Sequence, residues 1–156
     1  GGAAIGGGGR NWIECGVYPM SLTDSISQAI ATMEGFYKPG SVAQRNNNPG
    51  NLRSWGNRPT ANGYAVFESP EAGWAALNQQ VNLNIGRGLS LYEFFAGKPG
   101  VYGGYAPRTD PPNDPRGYAV FVASRIGLDP SIPLNSIPGE GPPNPTKPRP
   151  GRPNRG

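Results

Sequence analysis

Glu34 and the run Gln44-Arg45-Asn46-Asn47-Asn48-Pro49-Gly50-Asn51-Leu52-Arg53 are the two places where residue type and spacing point to chemistry. Glu34 falls in the last turn of a helical pattern. At roughly 100° per residue it lies on the edge of the apolar stripe, beside Ile30 and next to Met33. Apolar surroundings disfavour the charged form of a carboxyl group, and the negative end of the helix dipole disfavours it further. Both effects push the carboxyl toward keeping a proton near neutrality, as a general acid must. The same spacing also fits a solvated residue at a helix end. The second segment is packed with amides and carries the guanidinium groups of Arg45 and Arg53. Amides and Arg bind sugars through hydrogen bonds, helped by aromatic rings that stack on the sugar face. The segment equally fits a solvent loop that uses asparagine's ease in turns.

Elimination narrows the chemistry. The chain has no histidine, which removes Ser-His-Asp and Cys-His catalysis and every His-ligated metal site. Its single cysteine, Cys15, has no partner for an internal disulfide and no base to activate it, so it reads as a small buried residue or a free thiol. Carboxylates, amides, hydroxyls and Arg must do whatever is done. No metal and no cofactor are expected.

The elements that position these residues follow from periodicity and caps. Ser21, Thr23 and Asp24 offer N-caps to a first helix in which Leu22, Ile26, Ala29 and Met33 recur at three- and four-residue steps, with Gly35 ending it. A polar, turn-rich stretch follows. Leu52 to Trp55 and Tyr64 to Phe67 are expected as short strands, with Asn62-Gly63 as a tight turn. Ser69-Pro70-Glu71 opens a second helix with Trp74, Leu77, Val81 and Ile85 on one face, stopped by Gly86 and Gly88. Ser90 and Glu93 form a capping-box pattern before Leu91, Phe94 and Phe95, and Gly97 and Pro99 stop that helix. Asn113-Asp114-Pro115 opens another, with Tyr118, Val122 and Ile126 on one face and Gly127 at its end. About four helices with a small β-rich insert after the first make an α+β class, mainly α.

The 156 residues suffice for one domain. Gly and Pro crowd the two ends. We therefore expect a flexible Gly-rich lead-in over 1–20, a folded domain over 21–137 and a disordered Pro-rich basic tail over 138–156. The net charge of +4 resides in Lys147, Arg149, Arg152 and Arg155; without them basic and acidic residues balance at ten each. Nucleic acid is therefore not an expected partner of the folded part. The tail motif Lys-Pro-Arg-Pro-Gly-Arg-Pro has the charge to track phosphates, but reads more simply as a soluble linker. No apolar run is long enough to span a bilayer, and the first ten residues lack the apolar stretch of a secretory signal.

The stretch from Ala29 to Arg53, AIATMEGFYKPGSVAQRNNNPGNLR, resembles the start of a lysozyme-like peptidoglycan lytic domain, of the kind found in phage virions, prophages and bacterial cell-wall enzymes. Gly63 to Leu77, GYAVFESPEAGWAAL, is similar to the family's next block. Tyr105-Ala106-Pro107, then Asn113 and Tyr118 to Val122, follow in the same order and spacing. The resemblance spans about residues 21–134. It implies a lysozyme-like fold that cleaves the strand of alternating N-acetylglucosamine and N-acetylmuramic acid, acting at the bacterial cell wall as a lytic transglycosylase or a muramidase. It implies Glu34 as acid/base, Asn48, Asn51 and Arg53 along the cleft, and Tyr105 beside the cut bond; Gln44 and Arg45 match less firmly. Tyr64, Tyr102 and Tyr105 sit in Gly-rich turns suited to sugar stacking, whereas Trp74, Phe94, Phe95 and Tyr118 have the spacing of core residues.

Most glycosidases use two carboxylates. Relatives in this family often use one Glu, with the sugar's N-acetyl group or 6-hydroxyl supplying the second function, and that reading is preferred here. Asp24, Glu71, Asp114 and Asp129 are accounted for as caps or turn residues, and Glu93 as a box partner. Glu68 and Asp110 have no such role and stand as candidates for a second carboxylate. The alternative to an enzyme is a non-catalytic wall-binding or virion structural module on the same fold. The chain is expected as a monomer or a piece of a longer protein.

Overall fold

A computed structural model describes residues 9–11, 13–14, 20–108 and 113–138. Cys15, Asp110 and the basic tail lie outside them. Within the stretch expected to be a flexible lead-in, β1 (Gly9–Asn11) pairs antiparallel with β2 (Ile13–Glu14). Residues 23–137 make a separate compact unit.

Helix α1 (Leu22–Met33) buries Ile26, Ala29, Ile30 and Ala31. Thr23 Oγ1 donates to Asn82 Oδ1 at 2.5 Å and so ties α1 to the long helix described below. The helix ends where Gly35 turns left-handed at φ +79°. Gly35 N–H donates to Thr32 O at 3.1 Å and Phe36 N–H to Ala31 O at 3.0 Å. This pair of bonds is a Schellman motif, and it makes Glu34 the C-cap residue. A one-turn helix, α2 (Val42–Arg45), then forms behind the N-cap Ser41, whose Oγ accepts from Gln44 N. Ser41 and Gln44 stand at capping-box spacing, a local signal for this helix that the periodicity reading passed over.

The expected hairpin is present, with different partners. Strand β3 (Thr60–Ala61) pairs with β4 (Tyr64–Ala65) around Asn62 and Gly63, both at positive φ. Leu52 to Trp55, expected as a strand, is irregular. Ala65 N–H donates to Leu52 O at 2.8 Å as in a ladder, but the return bond, Leu52 N–H to Ala65 O, is replaced by the buried amide of Asn48. Its Oδ1 accepts from Leu52 N at 3.0 Å, and its Nδ2 donates to Leu52 O at 3.0 Å and Ala65 O at 2.9 Å.

Helix α3 (Pro70–Gly86) starts at the N-cap Ser69 with proline in its first turn, and buries Ala76, Leu77, Val81 and Ile85. Trp74, expected in the core, is only half buried. Helix α4 (Leu91–Ala96) carries the full capping box: Ser90 Oγ accepts from Glu93 N, and Glu93 Oε1 accepts from Ser90 N. Helix α5 (Pro115–Ile126) is capped by Asp114 and closed by left-handed Gly127. It packs on α4, with Tyr118 edge-on to Phe95. A final 3-10 turn (Leu134–Ser136) is pinned by Leu134 N–H donating to Leu89 O at 2.8 Å. The class is α+β, mainly helical, with a small two-stranded sheet after the first helix of this unit.

Candidate active site

The C-cap position points Glu34 away from its own helix and toward the asparagine loop. Asn51 Nδ2 donates to Glu34 Oε1 at 2.9 Å. Burial raises the Glu34 carboxyl above its ordinary value of 4.5; the Asn51 bond and the Arg53 charge oppose that shift without cancelling it. Asn51 itself sits at φ +47°, a conformation asparagine tolerates better than most residues. Its Oδ1 is buried and has no hydrogen-bond partner. Arg53 is exposed and lays its guanidinium over the Tyr64 ring, 4.8 Å from the centroid. Tyr64 projects from β4, so hairpin and loop present a joined cation and ring.

Tyr105 stands behind the loop. Its hydroxyl donates to Gly50 O, and its ring packs against Phe94 and Phe95 at 5.7 and 5.8 Å. Burial, and then the Glu34 charge, hold its phenol well above the usual range. Gly50 is required here, because a Cβ on it would meet that hydroxyl at 2.4 Å. Tyr118 reaches the same region from α5. Burial raises its phenol, as do the charges of Glu34, Asp114 and Tyr64 in that order. Helical spacing assigned Tyr118 to the core, but its side chain is half buried and its hydroxyl end lies within electrostatic reach of Glu34. A Tyr on the periodic face of a helix has a wet end that spacing does not report.

The structure separates the expected site residues. Glu34, Asn51, Arg53, Tyr64, Tyr105 and Tyr118 converge. Asn48, expected along the cleft, is fully buried with both amide atoms bonded to backbone, and serves the scaffold. Gln44 and Arg45 bind the Gly40 backbone and brace the preceding turn. Tyr102, also expected to stack on sugar, lies under the Arg87 guanidinium at 4.9 Å. Both Glu68 oxygens are taken by Arg58 at 3.0 and 3.1 Å, which holds that carboxyl below its usual range. Asp110 lies outside the described residues. Among the described residues no cluster of His, Cys, Asp or Glu is suited to a metal ion, and no helix is long and apolar enough to cross a membrane.

One depression among the described residues lies away from this site. It is shallow, of about 490 Å³, lined by Ala96 to Gly103, and touches none of the converging residues. The chemistry, a half-buried acid held by an amide beside an arginine and tyrosines, marks the site. No family model, no curated protein and no solved structure matches the chain.

Proposed function

We propose that this chain is a lysozyme-like enzyme that cuts the β-1,4 bond between N-acetylmuramic acid and N-acetylglucosamine in peptidoglycan, as a lytic transglycosylase with Glu34 as its one acid/base. The observation that carries this reading is the half-buried Glu34 carboxyl, raised above its ordinary value and held at 2.9 Å by Asn51. An acid that keeps its proton donates it to the bridging oxygen as the bond from the muramic C1 breaks and its electron pair leaves with that oxygen. Glu34, now a carboxylate, removes the proton of the muramic 6-hydroxyl as that oxygen bonds to C1. The product is a 1,6-anhydro sugar, and Glu34 regains its proton.

The single-acid route is favoured because Glu68, the described candidate for a second carboxylate, has both oxygens on Arg58. Arg53 and Tyr64 would give the glycan a hydrogen-bonding head and a stacking face together.

The test is mass spectrometry of muropeptides released from purified peptidoglycan. Wild type should release glycan fragments lighter by one water than hydrolytic products, and Glu34→Gln should release none while remaining folded. Fragments with ordinary reducing ends would replace the lyase by a hydrolase. Equal release by Glu34→Gln would remove Glu34 from the reaction. Tight binding to walls without release by wild type would leave a binding module.

A further inference from the structure

Asn51 differs from Asn48 in one respect that gives it a second role. Asn48 has bonds on both ends of its amide and cannot turn without breaking three of them. The Asn51 side chain bonds through Nδ2 to Glu34 Oε1, and its Oδ1 is buried without a partner. Rotating this amide by half a turn exchanges the two atoms. The oxygen then faces Glu34, and the nitrogen takes the buried position. Each orientation makes one bond to Glu34 and leaves one amide atom unpartnered. They differ in the state of Glu34 they fit: a carboxylate only accepts and so fits the nitrogen alone, whereas a protonated carboxyl still accepts at one oxygen and can also donate its O–H to the amide oxygen.

We propose that Asn51 is a positioning residue whose amide reverses as Glu34 gains and loses its proton, so that the carboxyl stays hydrogen-bonded in one place in both states. The main chain makes this feasible. Asn51 N–H donates to Asn48 O at 3.0 Å, and the adjoining peptides are tied to Asn48 and Tyr105, so the side chain turns on a fixed base. Other charged or titratable groups that act around Glu34 are Arg53 from the same loop, Tyr105 after α4 and Tyr118 on α5. Burial raises the Tyr105 and Tyr118 phenols, so their hydroxyls stay protonated at neutral pH, and Glu34 is the carboxyl of this group, the kind of side chain that changes state between acid and neutral pH. For its use in catalysis the inference rests on the single-acid reading: the proton that the amide oxygen accepts in the free chain must pass to the bridging oxygen when glycan binds, and the amide nitrogen then meets the carboxylate that is left. The amide reversal itself does not depend on which bond is cut.

The experiment is an NMR titration of the full chain, without substrate, that follows Glu34 through its side-chain carbon and Asn51 through its side-chain amide. Cross-relaxation peaks between the Asn51 Nδ2 protons and the Glu34 γ-protons should be strong above the Glu34 midpoint and lost below it. In Glu34→Gln, whose residue 34 does not titrate, the Asn51 amide should show no such change over the same pH range. Peaks that persist on both sides of the midpoint would mean a fixed donor and overturn the proposal. So would a pH-dependent change that survives in Glu34→Gln. A chain that shows the reversal but releases no glycan would sink the enzymatic reading and leave the amide clamp standing.

Discussion

Replacing Asn48 with alanine separates a scaffold residue from a binding residue, and its cost can be worked out from the bonds it breaks. The Asn48 amide serves Leu52 N–H, Leu52 C=O and Ala65 C=O. Leu52 C=O keeps a second donor, Ala65 N–H at 2.8 Å, so it remains satisfied after the substitution. Leu52 N–H and Ala65 C=O lose the partner that Asn48 supplies. A buried polar group left unpaired costs about 1–3 kcal/mol, so the pair costs about 2–6 kcal/mol. A domain of this size has on the order of 5–15 kcal/mol in total. With a urea slope of about 2 kcal/mol per molar, the unfolding midpoint of Asn48→Ala should fall by about 1–3 M. Asn48→Asp should be at least as damaging at neutral pH, because a carboxylate would face two carbonyl oxygens with no proton to donate. Under conditions where the variant is still folded, glycan release per folded molecule should remain measurable, since Asn48 is fully buried with its amide spent on backbone groups. A midpoint that moves by less than about 0.5 M, together with loss of wall binding, would refute the argument and return Asn48 to the cleft.

Three further outcomes follow from the same geometry. Because burial raises Glu34 in the folded state, its contribution to stability is fully present below 4.5 and is lost as pH rises through the raised value; Glu34→Gln should therefore match wild type in thermal unfolding at about pH 4 and exceed it at about pH 8. Gly73→Ala places a Cβ at 1.9 Å from Asn47 O and should cost about 1–3 kcal/mol or more in urea unfolding, whereas Gly86→Ala in the same helix meets nothing within 4 Å and should stabilise by about 0.5–1 kcal/mol. Tyr118→Phe removes a hydroxyl within electrostatic reach of Glu34; it should slow glycan release by about 2- to 10-fold, with little change in unfolding temperature.

The local signals were legible because their causes are local. Ser69, Ser90 and Asp114 cap the helices they precede, and Gly35 and Gly127 end theirs, since a cap needs only a side chain within three residues of the groups it satisfies. Asn62-Gly63 formed its turn for the same reason. The wiring of the asparagine loop was not legible. Asn48 and Asn51 are the same residue type three positions apart, yet one faces Ala65 across seventeen residues and the other faces Glu34 across seventeen in the opposite direction. The family resemblance assigns both to a cleft, and only the path of the chain separates them. The strand expected over Leu52 to Trp55 failed for a related reason. Propensity counts backbone partners and does not anticipate a side-chain amide occupying their place. Tyr118 was misread because helical spacing reports which side of a helix a residue is on, not where its hydroxyl ends.

The loop's bonding suggests why asparagine, rather than any polar residue, fills this segment. Three kinds of constraint meet there. Asn47 Nδ2 donates to Phe67 O at 3.0 Å, and the Asn47 carbonyl presses so closely on α3 that only glycine fits at position 73. Asn48 joins Leu52 to Ala65. Tyr105 holds Gly50 from the far side. A short side chain that donates and accepts at once can bridge peptide groups where no strand pairing is available, and it tolerates the left-handed backbone seen at Asn47 and Asn51. Serine offers one oxygen and aspartate offers no proton, so neither makes the Asn48 bridge. With its neighbours fixed in this way, Asn51 has a rigid base from which to hold Glu34, and Glu34 is fixed from its other side by the Schellman turn that makes it a C-cap. An acid held from both sides loses little geometry between turnovers. The rigidity of the loop is therefore itself a condition of proton transfer, and loosening it at Gly73, in the first turn of α3, should reduce glycan release even in molecules that remain folded.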